Sequence, residues 1–302
     1  MFPGRVFTRV SCALALGLTA ATASADSPTL TKIKQTGSVT LGYREASIPF
    51  AYLGKDQKPT GFSLDLCAEV VNKIKADLKL DKLEVKLQPV DSSNRILLLQ
   101  NGTIDMECGA TSSDAGRLKQ VSFTVAIFVS SARWLTKISS GIHDVKGLDG
   151  KTVVVTQGSN ATNFAFGIKA KGNTFNIVQG KDHGQSMLTL QNGRAAAFME
   201  DDILLASLKA RTPDPAAFTF LPETYALVPY GLMLPKDDAE FKALADGVLK
   251  GMMASGAFTK LYAKWFASPI PPHGDNLNFP VRRQMIWDIL RISGAEALVH
   301  LG

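Results

Sequence analysis

Cysteine is scarce, with three in 302 residues, and none is spaced as in a zinc site. Histidine is scarce too. The four present stand well apart, so no pair has metal-ligand spacing. Beyond residue 25 no apolar stretch is long enough for a membrane helix. Missing as well are G-x-S-x-G, a P-loop, and a G-x-G-x-x-G following a strand, so no nucleophile or nucleotide cradle stands out. The formal charge of +6 is scattered rather than run together. Nothing therefore resembles a track for a nucleic-acid backbone. No metal, cofactor or nucleic-acid partner is expected, and a weak positive field suits small anions.

The start of the chain reads as an export signal over residues 1–25. Arg5 and Arg9 precede an apolar run from Val10 to Ala20, and Ala23-Ser24-Ala25 offers a small-residue cleavage site. The run is too short to span a bilayer comfortably. Cys12 lies well upstream of the cleavage site, which speaks against lipidation. Cleavage before Asp26 leaves 277 residues and takes the formal charge to +4, a length that suits one large domain or two medium ones. Cys67 and Cys108 remain. Export makes a bridge between them chemically possible, and two small buried core residues are the alternative.

Strands and helices alternate along the mature part, which predicts an α/β architecture with mostly parallel sheets. Ser38 to Tyr43, Glu84 to Val90 and Ile104 to Cys108 read as strands. Gly61 to Leu80 carries Cys67, Val70, Val71, Ile74 and Leu78 at helical spacing, with Ser63 as N-cap. Val153-Val154-Val155 is a strand buried on both faces. It ends in the turn Thr156-Gln157-Gly158-Ser159-Asn160. Leu97-Leu98-Leu99-Gln100-Asn101-Gly102 is echoed by Leu188-Thr189-Leu190-Gln191-Asn192-Gly193. A strand and an acid follow both, which fits two similar lobes. Asp237 to Ser255 is a helix stopped by Gly256. The stripe Phe258, Leu261, Tyr262, Trp265 and Phe266 reads as core packing.

Open α/β sheets bind ligands beyond the carboxyl ends of their strands. There the chain places Arg44-Glu45, Asp91-Ser92-Ser93-Asn94-Arg95, Gly109-Ala110-Thr111-Ser112-Ser113 with Arg117 beyond, Gly158-Ser159-Asn160, Lys181-Asp182-His183-Gly184 and Glu200-Asp201-Asp202. Arginine grips a carboxylate with two parallel hydrogen bonds. Backbone N–H groups ahead of a helix suit anions, and Asp201 can take an ammonium. Taken singly, each arginine could be a surface ion-pair partner, His183 a solvated or capping residue, and Asp201 and Asp202 an ordinary helix start. Their joint placement matches a dicarboxylic amino acid.

From Leu30 to about Pro280 the chain resembles the periplasmic glutamate/aspartate-binding proteins of ABC importers, in the type II solute-binding superfamily. Gly42-Tyr43-Arg44-Glu45, Ser93-Asn94-Arg95-Ile96, Leu99 to Gly109, Lys181-Asp182-His183-Gly184, Ala197 to Asp202 and Ser268-Pro269-Ile270-Pro271-Pro272 carry the likeness. The resemblance implies two α/β lobes joined by two hinge crossings, near Trp134–Lys137 and Tyr230–Leu234, with ligand in the cleft. Lobe 1 would be 26–135 with 232–272, lobe 2 would be 136–231, and 273–302 a C-terminal helix and tail. It further implies that Arg117 holds the α-carboxylate and Asp201 the α-ammonium. Arg44, Ser92, Arg95 and His183 would surround the side-chain carboxylate, and Thr111, Ser112 and Ser159 would donate hydroxyl or backbone hydrogen bonds. Ala110 departs from the serine common after Glu-Cys-Gly and leaves only backbone groups there. Gly158-Ser159-Asn160 departs from the more usual Gly-Thr-Thr. Protonation of His183 is expected to tune glutamate against glutamine. The implied partners are L-glutamate or L-aspartate and an inner-membrane ABC permease, for a monomer in the periplasm. Outside this reading stand a binding protein for another polar amino acid or for a dicarboxylate without an amine, an exported dehydratase using Glu45, Glu107 or Glu200 as its acid, and a sensor module.

Overall fold

The computed structural model describes residues 26–280. The expected export signal lies outside the described residues, as does residue 281 onward of the expected C-terminal helix and tail. Helix α1 (Pro28–Thr36) starts where the Ser27 side chain accepts from the Leu30 N–H, with Pro28 at the first helical position. Gly37, at φ +63°, ends it. Strand β1 (Ser38–Tyr43) follows, then a small antiparallel sheet of β2 (Ala46–Ser47), β3 (Ala51–Leu53) and β4 (Pro59–Thr60). Helix α2 (Phe62–Asp77) buries Cys67, Val70, Val71 and Ile74, the face its spacing predicts. Its cap differs from expectation. Gly61 holds that position at φ +143°, where a Cβ would stand 2.2 Å from the Phe50 carbonyl oxygen. Ser63 is already helical, and its hydroxyl donates to the Gly109 carbonyl at 2.9 Å.

Next come β5 (Glu84–Pro89), α3 (Arg95–Gln100), β6 (Met106–Glu107), β7 (Ser122–Phe123), β8 (Phe128–Lys137), β9 (Thr152–Thr156), α4 (Asn160–Ala170) and β10 (Asn176–Gly180). The remaining elements are α5 (His183–Gln191), β11 (Ala197–Asp201), α6 (Asp202–Ala210), β12 (Phe218–Tyr230), β13 (Met233–Leu234), α7 (Ala239–Ala254) and α8 (Ala257–Phe266). Val153, Val154 and Val155 are fully buried, as a strand covered on both faces requires. β5 is an edge strand, and Val85 and Leu87 stay exposed rather than alternating inward.

Two five-stranded sheets result, ordered β5-β1-β6-β13-β7 and β10-β9-β11-β8-β12. In each, three strands run parallel and two further joins are antiparallel. The expectation of mostly parallel sheets therefore holds for only half of the joins. The antiparallel strands flank the passages between sheets and do not enter through a helical crossover. The internal echo marks equivalent places. α3 and α5 are followed by Gly102 and Gly193 in left-handed backbone, at φ +74° and +70°, and lead into β6 and β11.

The chain passes between sheets twice. The second passage lies between Tyr230 and Met233, within the span expected. The first lies between Phe123 and Phe128, not at Trp134–Lys137, because Leu135 and Thr136 already pair with Phe198 and Ala197 inside the second sheet. The passages run side by side. The Ile127 N–H donates to the Tyr230 carbonyl (2.8 Å) and the Thr124 N–H to the Leu232 carbonyl (3.0 Å). Behind them, Phe128 stacks on Phe266 at 5.2 Å, and Phe50 meets both Phe128 and Tyr230 edge-on at 5.1 Å. The aromatic stripe of α8 is thus core, with Phe258, Tyr262, Trp265 and Phe266 buried.

Cys67 and Cys108 are joined by a disulfide with Cα atoms 6.2 Å apart, tying α2 to the residue after β6. Closing a loop of this length stabilises a chain by about 4 kcal/mol in the chain-entropy picture. The Cys67→Ala/Cys108→Ala double variant is expected to unfold roughly 5–10 °C lower in differential scanning calorimetry. An unchanged melting temperature would show that the bridge adds nothing to the packed α2.

Candidate functional site

Every one of the predicted site residues, standing at or beyond the carboxyl ends of strands, is buried: Arg44, Ser92, Arg95, Ala110, Thr111, Ser112, Arg117, Ser159, His183 and Asp201. Arg44 and Arg95 are each only 2% exposed, so they are not surface ion-pair partners.

The first sheet supplies the guanidinium groups. Arg44 follows β1 and lies over Gly109, where a Cβ would come within 2.7 Å of its Cγ. Asp91 shapes the turn after β5 by accepting from the Ser93 and Asn94 N–H groups, at 2.8 and 2.9 Å. That turn presents Ser92 and starts α3 at Arg95. Arg117 is held by its own neighbourhood. Asp114 accepts from its backbone N–H at 3.0 Å and faces its Nε at 3.5 Å. Arg117 Nη1 donates to the Ser112 carbonyl at 2.9 Å and to the Ser112 hydroxyl. The Thr111 hydroxyl donates to Glu107 Oε2 at 2.7 Å. The Thr111 and Ser112 side chains thus hold neighbouring charged groups.

The second sheet supplies the rest. His183 opens α5 behind the Asp182 cap, and the Ser47 hydroxyl lies 3.1 Å from its Nδ1. Asp201 ends β11 and accepts from the Tyr230 hydroxyl. Ser159 stands ahead of α4 without capping it. Its side chain lies beside Glu200 and favours that group's charged form, yet its hydroxyl lacks a partner of regular hydrogen-bond geometry. The two sides touch. Arg117 Nη2 donates to the Gly158 carbonyl at 3.1 Å, and a Cβ on Gly158 would stand 2.6 Å from the Ser92 carbonyl oxygen. Gly158 also sits at φ +73°, so glycine is required there twice over.

Several polar atoms in this buried space have no hydrogen-bond partner among the described residues: Arg44 Nη1, Arg95 Nε and Nη1, Ser92 Oγ, Glu107 Oε1, Glu200 Oε2 and Asp201 Oδ1. Native folds rarely leave such groups unpaired. Burial, followed by the charges of Arg117 and Arg44, pushes Arg95 down to about 9. Burial also lowers Arg44, against the pull of Glu107 and Glu200. His183 falls well below its ordinary value through burial and then Arg44 and Arg95, so it is neutral at pH 7. That removes the expected tuning by His183 protonation. Burial raises Asp201 to about 6 against its hydrogen bond from Tyr230. Burial and neighbouring Asp201 raise Glu200 to about 8.

Sequence reasoning passed over Ser47, Asp114 and Tyr230, and it named Glu107 and Glu200 only as acids for a different chemistry. Asp114 stands three residues before Arg117, a readable local pairing. Ser47 and Tyr230 reach the site from 136 and 29 residues away from their partners, with no local signal.

The family model for bacterial extracellular solute-binding proteins, family 3, matches residues 39–268. The chain belongs to that family. It is 44% identical to the L-glutamate/L-aspartate-binding protein of Pseudomonas aeruginosa over 282 residues, covering 91% of this chain and 93% of the relative. It is 41% identical to the glutamate/aspartate import solute-binding protein of Escherichia coli, covering 90% and 92%. A variant of ArgBP from T. maritima shares the two-lobed type II fold at a TM-score of 0.70. It is 22% identical and covers 79% of this chain and 99% of that one. No described helix is long and apolar enough to cross a membrane.

Unfolding would return Glu200 and Asp201 to ordinary carboxyl values of 4.5 and 3.8. The folded chain thus keeps protons that the unfolded chain has released, and stability falls as pH rises through that window. Thermal unfolding without ligand is expected to show a melting temperature that declines from about pH 4.5 to about pH 8. Glu200→Gln should flatten the upper part of that decline.

Proposed function

We propose that this chain is a periplasmic solute-binding protein that captures L-glutamate or L-aspartate between its lobes and delivers it, as a monomer, to an inner-membrane ABC permease. One observation carries the reading. Buried guanidinium nitrogens of Arg44 and Arg95 lack protein partners, and across from them Asp201 keeps an unpaired carboxylate oxygen. A ligand with two carboxylates and one ammonium satisfies both sides at once. The names of the two relatives agree with that chemistry.

In this reading Arg117 takes the α-carboxylate, Asp201 the α-ammonium, and Arg44, Arg95, Ser92 and His183 the side-chain carboxylate. Ligand held by both lobes favours the closed form through contacts the open form does not make. The Arg117–Gly158 hydrogen bond and the approach of Gly158 to Ser92 complete that closure. Binding without turnover fits Glu107, which already accepts from Thr111 and lies beside Arg44.

Calorimetric titration of ligand-stripped protein is expected to give tight binding for L-glutamate and L-aspartate and none of comparable strength for glutamine, arginine or succinate. Tight glutamine or arginine binding would refute the acidic-ligand assignment. Turnover of a prephenate-like substrate would move the chain to the dehydratases. Arg44→Ala, Arg95→Ala and Arg117→Ala should each weaken binding by at least about 2 kcal/mol, roughly thirtyfold. Gly158→Ala should weaken it about tenfold or more by blocking closure, with the circular-dichroism spectrum retained.

A further inference from the structure

Glu200 is a carboxyl in the cleft for which the proposed ligand chemistry has no use, and unlike Glu107 it accepts from no side-chain hydroxyl of regular geometry. It is 2% exposed and is the penultimate residue of the buried strand β11, before Asp201. Its Oε2 has no hydrogen-bond partner, and the facing ring nitrogen, His183 Nε2, is 3.5 Å away, beyond a hydrogen bond. The groups around it can be named element by element. Asp201 neighbours it on β11, His183 comes from α5, and Ser159 from the turn before α4. Arg44 follows β1, Arg95 begins α3, and Tyr230 ends β12. Arg133 lies opposite Glu200 in the strand register, but its guanidinium turns to the Leu221 carbonyl at 2.6 Å and the Phe220 ring. No cation touches the Glu200 carboxyl. A buried carboxylate in that position carries a desolvation penalty of several kcal/mol, which the Asp201 N–H on Oε1 at 3.2 Å, the nearby Ser159 hydroxyl and the charge of Arg44 offset only in part.

We infer that Glu200 is a specificity-determining residue that stands in the cleft as an uncharged acid, and that its neutrality lets the site accept a ligand with two carboxylates. The inference rests on the acidic-amino-acid reading above and deepens it. The charges favour this assignment. Arg44, Arg95 and Arg117 bring three positive groups, and Glu107, Asp201 and Asp114, which faces Arg117 Nε at 3.5 Å, bring three negative ones. Glutamate or aspartate adds two carboxylates and an ammonium, so the filled cleft already carries one excess negative charge. An ionised Glu200 adds a second beside the second carboxylate. Glutamine brings one carboxylate fewer, so it is the ligand that an ionised Glu200 tolerates. Glu200 therefore takes the place of His183 as the titrating group that separates the two ligands. The upward displacement of Glu200 to about 8, caused by burial and by Asp201, agrees with this geometry.

The test is calorimetric titration of L-glutamate and L-glutamine into the full mature protein and its Glu200→Gln variant from pH 6 to pH 9. Both ligands carry the same α-ammonium, whose own titration cancels in the ratio of affinities. In the native protein glutamate binding should weaken about tenfold more than glutamine binding between pH 7 and pH 9. In Glu200→Gln glutamate affinity at pH 7 should stay within about threefold of native, and the glutamate-to-glutamine ratio should change by no more than about threefold up to pH 9, the part left to Arg95 near 9. A variant that loses more than about tenfold for glutamate at pH 7 would mean that the charge is used, and would overturn the inference. So would native and variant profiles that coincide. If the variant does not fold, native protein titrated at pH 8.5 in two buffers of different ionisation enthalpy should take up more than about half a proton per glutamate bound. No proton uptake would overturn the inference. Tight glutamate binding with a flat pH profile would sink this inference and leave the proposed function standing, whereas no binding of either acidic amino acid would sink both.

Discussion

Three guanidinium groups drawn into one buried space set the terms for everything around them. Arg44, Arg95 and Arg117 repel one another, and burial weakens the hold of Arg44 and Arg95 on their protons. Such a cluster persists only if its neighbourhood is arranged for it. Glu107 lies beside Arg44, Asp114 and Ser112 hold Arg117, and His183 is kept neutral by burial and by the arginines it faces. What the protein itself leaves unpaired on Arg44 and Arg95 is a demand for anionic oxygen. The ligand chemistry follows from that demand.

The architecture turns a local cluster into a two-sided site. The guanidinium groups hang from the first sheet, and His183, Ser159 and Asp201 from the second. The sheets share a strand order and are joined by two segments hydrogen-bonded side by side. The aromatic cluster of Phe50, Phe128, Tyr230 and Phe266 packs behind that joint. Tyr230 belongs to both parts: its ring is in the cluster and its hydroxyl holds Asp201. The joint and the Asp201 carboxylate are thus mechanically one unit.

Much of this was legible along the chain. Alternation marked β1, the valine run marked β9, and helical spacing marked α2 and the buried face of α8, because burial acts on each element with the element's own period. The Asn-Gly echo marked two equivalent helix ends, where a left-handed residue is needed for steric reasons. The site residues were legible as chemical types at strand ends. Less legible were the antiparallel strands at the joint and the first passage between sheets, because the chain runs from Phe123 through Thr124-Val125-Ala126-Ile127 into Phe128–Lys137 with no turn residue where the sheet changes.

The sequence by itself determined which side chains stand at the carboxyl ends of the strands, and so which chemistry was available to a ligand. Only the tertiary structure decided how those side chains are used. It turned the Thr111 hydroxyl to Glu107 and Ser112 to Arg117, and it set Gly158 against Ser92. It made His183 neutral and Glu200 a raised acid. Protonation and pairing depend on desolvation and on distances between residues far apart in the chain, and neither quantity is carried by any local stretch of sequence.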